Sequence, residues 1–477
     1  MSSSLDRLDA FENELDAYVP SQFNAFNKAP DGTLILYNTL SGHSCALPAR
    51  SAALFEPYLT APAVNRPLNA VGKFLEMHGY LVPLGTNEAG RVAVMHGMQN
   101  FRSDILELVL VAHEDCDFRC VDCPRHFRPR AMQPETVERV KKLIASRAQN
   151  KLRSMSLTWI GGEPLLGYDA IAEIAPWAQE LCRRHDVAYN SSIHTNAYLL
   201  TPERSRNLVG WGVTSYQIKI DGSREQHDRR RVLRDGGPTY DRIVENISAM
   251  ASMEAEFRVK IRVNFDIDNT PEAEPLFSAF ANRLARDGRF VFQFAPTNQW
   301  GEARDPEIPF CDEHAVDRER SIRRAAQRAG LTVEVATASL RDRNPCATAH
   351  AYNFILGVDG VVMKCWEETD EFVDNVVGEL TEGGELSLDE GKLSKWIQPY
   401  YAFDLACANC FVLPLCQGAR CPAARVRNQV ACIPEKFDLD RLLLETWKEH
   451  AGNGGPSRPV AGGGDAPAAR TETPAAV

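Results

Sequence analysis

The sequence predicts an α/β protein built around a partial (β/α)6 barrel of the TIM type. A small winged-helix-like domain precedes the barrel and a cysteine-rich metal-binding domain follows it. Three observations predict this. Between residues 105 and 297, six apolar runs alternate with amphipathic helical stretches, the rhythm of a parallel sheet with crossover helices. Upstream, a hairpin signal leads into two helical runs. Downstream, seven cysteines fall within about ninety residues, far above ordinary usage.

The 477 residues suffice for two or three domains, and a hydrophobic content of 44% supports a large core. A net charge of −11 argues against nucleic-acid binding, which draws on an excess of Lys and Arg. Neither a basic-then-apolar start nor a membrane-length apolar run occurs, so a cytoplasmic protein with no membrane association is expected. In that compartment thiols stay reduced, and the thirteen cysteines read as metal ligands or catalytic thiols rather than disulfides.

In chain order, Leu5, Leu8, Phe11, Leu15 and Tyr18 recur at helical spacing and predict an N-terminal helix over 1–21. Residues 22–95 carry the winged-helix-like pattern: two strands joined at Ser41-Gly42, a helix over SAALFEPYL, a second helix ending at Gly79, and a last strand. Cys45 lies in the second of these strands and reads as packing. The barrel, residues 100–310, has strands at ILELVLVA (105–112), SMSLTWIG (154–161), YNSSIHTNA (189–197), SYQIKIDG (215–222), FRVKIRVNFD (257–266) and RFVFQFAPT (289–297). Cys182 belongs to a barrel helix and reads as core, while Cys311 has no evident partner. The cysteine-rich domain spans 335–437, and the Gly-, Ala- and Pro-rich tail 451–477 should be disordered.

The site of such a barrel lies at the carboxyl ends of its strands, and four strand ends carry chemistry. After the first strand, HEDCDFRCVDCPR holds Cys116, Cys120 and Cys123. Three thiolates so spaced can wrap an iron–sulfur cluster and leave one iron without a protein ligand; a zinc site lacking a fourth ligand, or buried apolar thiols, are the alternatives. After the second strand come Gly161, Gly162 and Glu163; the glycines permit close backbone approach and the carboxylate could bind an amine, or the segment is a tight turn with a solvated Glu. Thr195 and Asn196 end the third strand, Lys219 and Asp221 the fourth, where ligand binding competes with helix capping. The Arg-rich run 223–237 is either a solvated basic face or a carboxylate contact, and Arg125 and His126 could tune the first cluster or lie exposed. In the last domain Cys346, Cys365, Cys407, Cys410, Cys416, Cys421 and Cys432 point to metal; the C-x-x-C at 407–410 also suits zinc.

Taken together, C-x3-C-x2-C, GGEP at 161–164 and the KIDG strand end with His227-Asp228 resemble the radical S-adenosylmethionine (SAM) enzymes. The downstream series Cys346-x13-Gly360-x4-Cys365 and Cys407-x2-Cys410-x5-Cys416-x4-Cys421, closed by Cys432, resembles their SPASM extension. The resemblance implies three 4Fe–4S clusters. Cys116, Cys120 and Cys123 would hold the one that binds S-adenosylmethionine; Cys346, Cys365 and Cys421 a first auxiliary cluster; Cys407, Cys410, Cys416 and Cys432 a second. It assigns the methionyl amine to Gly161, Gly162 and Glu163, and the carboxylate and ribose to Thr195, Asn196, Lys219, Asp221 and Asn264. The first auxiliary set is one ligand short, leaving His350, Cys311 or an open iron. Asp122 stands where an aromatic residue usually precedes the third cysteine, so Phe118 or Phe127 would stack on adenine.

By the same resemblance the chain is expected to be a peptide maturase. A 5′-deoxyadenosyl radical would oxidise a ribosomally made precursor to a cross-link or related product, with electrons from a flavodoxin or ferredoxin. An anaerobic sulfatase-maturing enzyme is the alternative, weakened because Trp366 rather than an aspartate follows Cys365. A zinc-stabilised peptide-binding module is the alternative of another class. No catalytic base is assigned.

Overall fold

The computed structural model describes residues 17–65, 67–121, 123, 127–265, 273–296, 313–334, 346–368, 372–398, 404–418, 421–429, 432–433 and 435–452. Cys311, Asp122, Arg125, His126 and residues 453–477 of the tail lie outside these, as do residues 1–16 of the expected N-terminal helix.

Six strands form the barrel: β1 (Ile105–His113), β2 (Ser154–Gly161), β3 (Ala188–Thr195), β4 (Val213–Lys219), β5 (Arg258–Phe265) and β6 (Phe290–Pro296). They pair in parallel in the order β6-β5-β4-β3-β2-β1. Each expected strand is present to within three residues at either end, because a period-2 apolar run bounded by helical stretches has one reading. One strand face is apolar: Met155, Leu157, Trp159, Ile193, Tyr216, Ile218, Val259, Ile261 and Phe292 are buried beneath helices such as Pro134–Gln149, Tyr168–Arg184 and Tyr240–Ala251. Cys182 is fully buried in this core, and burial pushes its thiol up to about 11, as an inert packing residue requires. The opposite face is polar and lines the lumen.

The cysteine-rich region does not stand apart. Its first strand, β7 (Asn353–Leu356), adds in parallel to β1, and β8 (Val361–Met363), β9 (Val376–Leu380) and β10 (Leu386–Leu388) continue antiparallel into one ten-stranded sheet.

At the N-terminus, Ala17–Pro20 is a strand, not the end of a helix: Tyr18 pairs with Val64 and Pro83, and its buried ring packs with Leu34, Leu75 and Leu81. Helical spacing running into Tyr18 misled because that ring is claimed by a sheet. The expected hairpin and two helices occur as Leu34–Asn38, Ser44–Leu47, Ala49–Thr60 and Ala70–Met77, joined by strands Asn24–Lys28 and Leu81–Pro83 and the helix Glu88–Asn100. Cys45 packs here, its thiol pushed up to about 11 by burial.

This N-terminal unit is seated on the 404–418 segment. Phe23 and Val92 bury against Leu413, Thr39 Oγ1 donates to the Phe411 carbonyl at 2.5 Å, and Gln22 Nε2 donates to that of Ala408 at 3.3 Å. The C-terminal helix Glu435–Gly452 packs Leu439 and Leu443 against Ile35 and Tyr37. Arg320, on the helix Glu313–Arg328, ties it to the barrel through Asp438 (2.8 Å) and Glu445 (2.9 Å).

Candidate active site

The loop after β1 is fixed by its own polar groups. Asp115 Oδ1 accepts from the Cys116 amide (2.8 Å) and from Arg119 (3.1 Å), and its Oδ2 accepts from Arg234 (2.7 Å). These bonds hold the Asp115 carboxyl below its usual range despite the opposing effect of burial. Phe118–Cys120 forms a short strand antiparallel to Arg231–Leu233, with Cys120 opposite Arg231. The Arg-rich run is a solvated face only in part: Arg224 and Arg229 are exposed, but Arg231 is buried at 3.6 Å from Asp221, and the half-exposed Arg234 clamps the cysteine loop. Phe118 is fully buried edge-on to Tyr198 and cannot stack on a ligand; Phe127 lies under the Arg119 guanidinium at 4.0 Å.

Gly161 and Gly162 lock onto this loop. A Cβ on Gly161 would stand 2.2 Å from the His113 carbonyl oxygen, and one on Gly162 would stand 2.4 Å from that of Asp115. The amides of Gly162 and Glu163 donate to the same two carbonyls at 2.9 Å. Glu163 is then driven inside, 1% exposed. Its carboxylate accepts from Thr195 Oγ1 (2.7 Å), the Asn196 amide (2.8 Å) and the Leu165 amide (3.0 Å). The solvated-Glu alternative is thereby excluded. Asn196 Nδ2 reaches Asp117 Oδ1 at 2.7 Å and Cys116 Sγ at 3.8 Å. Gly161, Gly162, Glu163, Thr195 and Asn196 thus converge beside the cysteine loop.

Lys219, Asp221 and Asn264 stand further round the rim. Lys219 is exposed on the lumen face, Asp221 is turned toward Arg231, and Asn264 Oδ1 accepts from Arg262 Nε at 3.1 Å. Arg262 was missed by sequence reasoning, although the alternation Lys260, Arg262, Asn264 within FRVKIRVNFD signals a polar inner face.

Burial, reinforced by Asp117, raises the Glu163 carboxyl to about 7. A cation such as an amine binds its charged form, so below pH 7 binding also requires loss of a proton. Affinity for S-adenosylmethionine should weaken as pH falls, by up to about tenfold per unit. Equilibrium dialysis of reconstituted enzyme from pH 8 to 6 should show this slope, and Glu163→Gln should bind weakly with a flat profile. An unchanged slope in the variant would assign the titration elsewhere.

The downstream thiols gather in two groups. Burial drives the Cys365 thiol well above its ordinary value, and Cys346 and Cys421 add to the shift. Burial pushes Cys407 up to about 12, with further contributions from Asp404, Cys416 and Cys410. Lys436 Nζ contacts Cys432 Sγ at 3.4 Å and feels Cys410 and Cys407. Among the described residues no three His, Cys, Asp or Glu side chains form a ready single-ion site. Buried thiols that raise one another lose their protons together only against compensating positive charge, the condition an iron–sulfur cluster meets. The donors, thiols in each group, are of the type such clusters take.

His350 Nδ1 is held by Glu107 Oε2 at 2.7 Å. Beside it, fully buried Lys364 donates to the carbonyls of His350 and Asn353, each at 2.7 Å, and burial lowers its ammonium to about 7. His194 meets Trp366 edge-on, with ring centroids 5.8 Å apart, where the lumen opens toward the cysteine-rich region.

Residues 110–262 match the Radical SAM superfamily. The 4-hydroxyphenylacetate decarboxylase activating enzyme of Clostridioides difficile strain CD196 is 24% identical over 212 residues, 43% of this chain and 63% of the relative. The chain thus spans less than two thirds of that relative's length. Among solved structures, native anSMEcpe with bound AdoMet aligns with a TM-score of 0.54 at 17% identity, covering 73% of this chain and 98% of the other. That likeness is one of fold. Streptococcus suis SuiB bound to precursor peptide SuiA aligns with a TM-score of 0.45 at 15% identity, covering 84% and 95%. No helix among the described residues is long and apolar enough to cross a membrane.

Proposed function

The chain carries a radical SAM domain, and on that premise we propose that it is a radical SAM peptide maturase with two auxiliary iron–sulfur clusters, installing an oxidative cross-link or related modification in a precursor peptide. The observation that carries this reading is the grouping of Cys346, Cys365 and Cys421, with Cys365 just past a strand of the sheet continuous with the barrel, and of Cys407, Cys410 and Cys416, with Cys432 nearby, on the segments that follow that sheet. S-adenosylmethionine and its cluster would supply a carbon-centred radical at the strand ends.

The chain's own residues bind, orient and enclose. Cys116, Cys120 and Cys123 offer thiolates from a loop clamped by Asp115, Arg119 and Arg234. Glu163 offers a buried carboxylate braced by Thr195 and Asn196. Trp366 and His194 border the lumen mouth where a peptide would enter. Substrate oxidation leaves an electron to remove, and the auxiliary thiol groups supply sites for its acceptors. The N-terminal unit, with the outer strand Ser44–Leu47 beside the helix Ala70–Met77, suits strand addition by an extended leader peptide.

Metal analysis after anaerobic purification tests the class. About twelve irons per chain, four for each of three cubanes, together with 5′-deoxyadenosine formation under reducing conditions, are expected. Stoichiometric zinc with little iron would replace this reading with a non-catalytic peptide-binding module.

A further inference from the structure

We propose that Arg262 binds a carboxylate of the substrate inside the barrel. The segment processed would then present an Asp or Glu side chain, or a chain-terminal carboxylate, to the lumen; this rests on the peptide reading above. The argument starts from the polar strand face. Ser156, Thr158, Ser192, His194, Gln217, Lys260, Arg262 and Gln293 alternate with buried apolar residues and all remain partly accessible, so they line an open lumen rather than a packed core.

Most of the charge there is already matched. Glu334 pairs with Lys260 at 3.1 Å and accepts from Gln293 at 2.7 Å. Asp221 faces Arg231 at 3.6 Å, whereas Glu367 accepts only the neutral Trp366 indole N–H, at 2.9 Å, and keeps its charge.

Arg262 differs. Its Nε is braced by Asn264 at 3.1 Å, and among the described residues no other hydrogen bond reaches its guanidinium. Burial disfavours its charge, and Glu367, Asp221 and Glu334 offset that only in part, from a distance and without contacting it. The residue is in register with Lys219, the last residue of β4, and one step beyond the level of Thr195 on β3, which places it at the height of the Glu163 cluster, two strands round the lumen. A planar fork held at Nε and open at its two terminal nitrogens is shaped for bidentate carboxylate binding. A carboxylate there would be held level with the Glu163 cluster, with its parent chain running across the lumen toward that cluster.

The test uses reconstituted holoenzyme with S-adenosylmethionine and three probes: N-acetylated, amidated tripeptides Ala-Glu-Ala and Ala-Gln-Ala, and glutarate. Wild-type protein should bind the Glu peptide at least tenfold tighter than the Gln peptide. Arg262→Gln should erase that preference, Arg262→Lys should keep part of it, and S-adenosylmethionine affinity should stay within twofold in both. Equal binding by wild type, or a preference that survives Arg262→Gln, overturns the assignment. Tenfold loss of S-adenosylmethionine affinity in Arg262→Gln, with no peptide preference in wild type, would give the guanidinium to the methionyl carboxylate and also overturn it. Arg262-dependent glutarate binding with neither tripeptide bound would keep the carboxylate site and defeat the peptide reading. Unchanged iron content and thermal midpoint in both variants exclude misfolding as the cause.

Discussion

Replacing Cys116, Cys120 and Cys123 together with alanine is expected to abolish reductive cleavage of S-adenosylmethionine, a loss of at least a thousandfold, while about eight irons per chain remain. The loop these thiols occupy is fixed independently of any metal, by Asp115 bridging Arg119, Arg234 and the Cys116 amide. Its shape should survive the substitutions, so lost activity would report lost ligands. Iron content and 5′-deoxyadenosine yield, measured on the same anaerobic preparation, check both halves. Cleavage persisting in the triple variant would place the reactive cluster among the downstream cysteines.

A nearly comparable loss, at least a hundredfold, is expected from adding a single methyl group. Gly162→Ala would place Cβ 2.4 Å from the Asp115 carbonyl oxygen and 2.8 Å from that of Glu114. Neither atom is a side-chain end that can swing aside; both belong to the backbone of the cysteine loop. Relief must separate the β2 turn from that loop, breaking the Glu163 amide bond to Asp115 and tilting the carboxylate away from Thr195 and Asn196. Overpacking of this kind costs about 1–3 kcal/mol. A thermal midpoint lowered accordingly, together with weakened S-adenosylmethionine binding, is the expected pair of results. Gly210 offers a control, since a Cβ there meets nothing within 4 Å. Wild-type affinity in Gly162→Ala would mean that the turn and loop need not touch.

The barrel was legible because its evidence is periodic and repeated six times, and because strand ends are where such folds put polar residues. Glu163, Thr195 and Asn196 were found that way, and the structure joins all three by hydrogen bonds. Legibility failed where a residue's role depends on a partner distant in sequence. Arg231 and Arg234 look like members of a surface charge run until strand pairing sets them beside Asp221 and Asp115. Phe118 looked available for stacking because nothing in HEDCDFRC says that Tyr198 will cover it. Tyr18 satisfied a helical period that continued upstream, but its partners Val64 and Pro83 come from far along the chain. Arg262 was visible as alternation and overlooked because attention fell on the strand end, two residues later.

The seating of residues 22–92 on the 404–418 segment bears on how the protein is made. Gln22 meets Ala408 across 386 positions of chain, so the ribosome completes the N-terminal unit long before its seat exists. Until then, Phe23 and Val92 lack the apolar surface that Leu413 later provides. When Cys407, Cys410 and Cys416 emerge, that early unit is already waiting to close over them. If these cysteines hold the proposed cluster, metal delivery and docking would compete for one short interval at the end of synthesis. On the proposed cluster assignment, a chain that closes first would have Cys416 buried and only Cys407 and Cys410 partly exposed before loading, and slow iron supply during expression would accumulate molecules with a filled barrel loop and an empty C-terminal group.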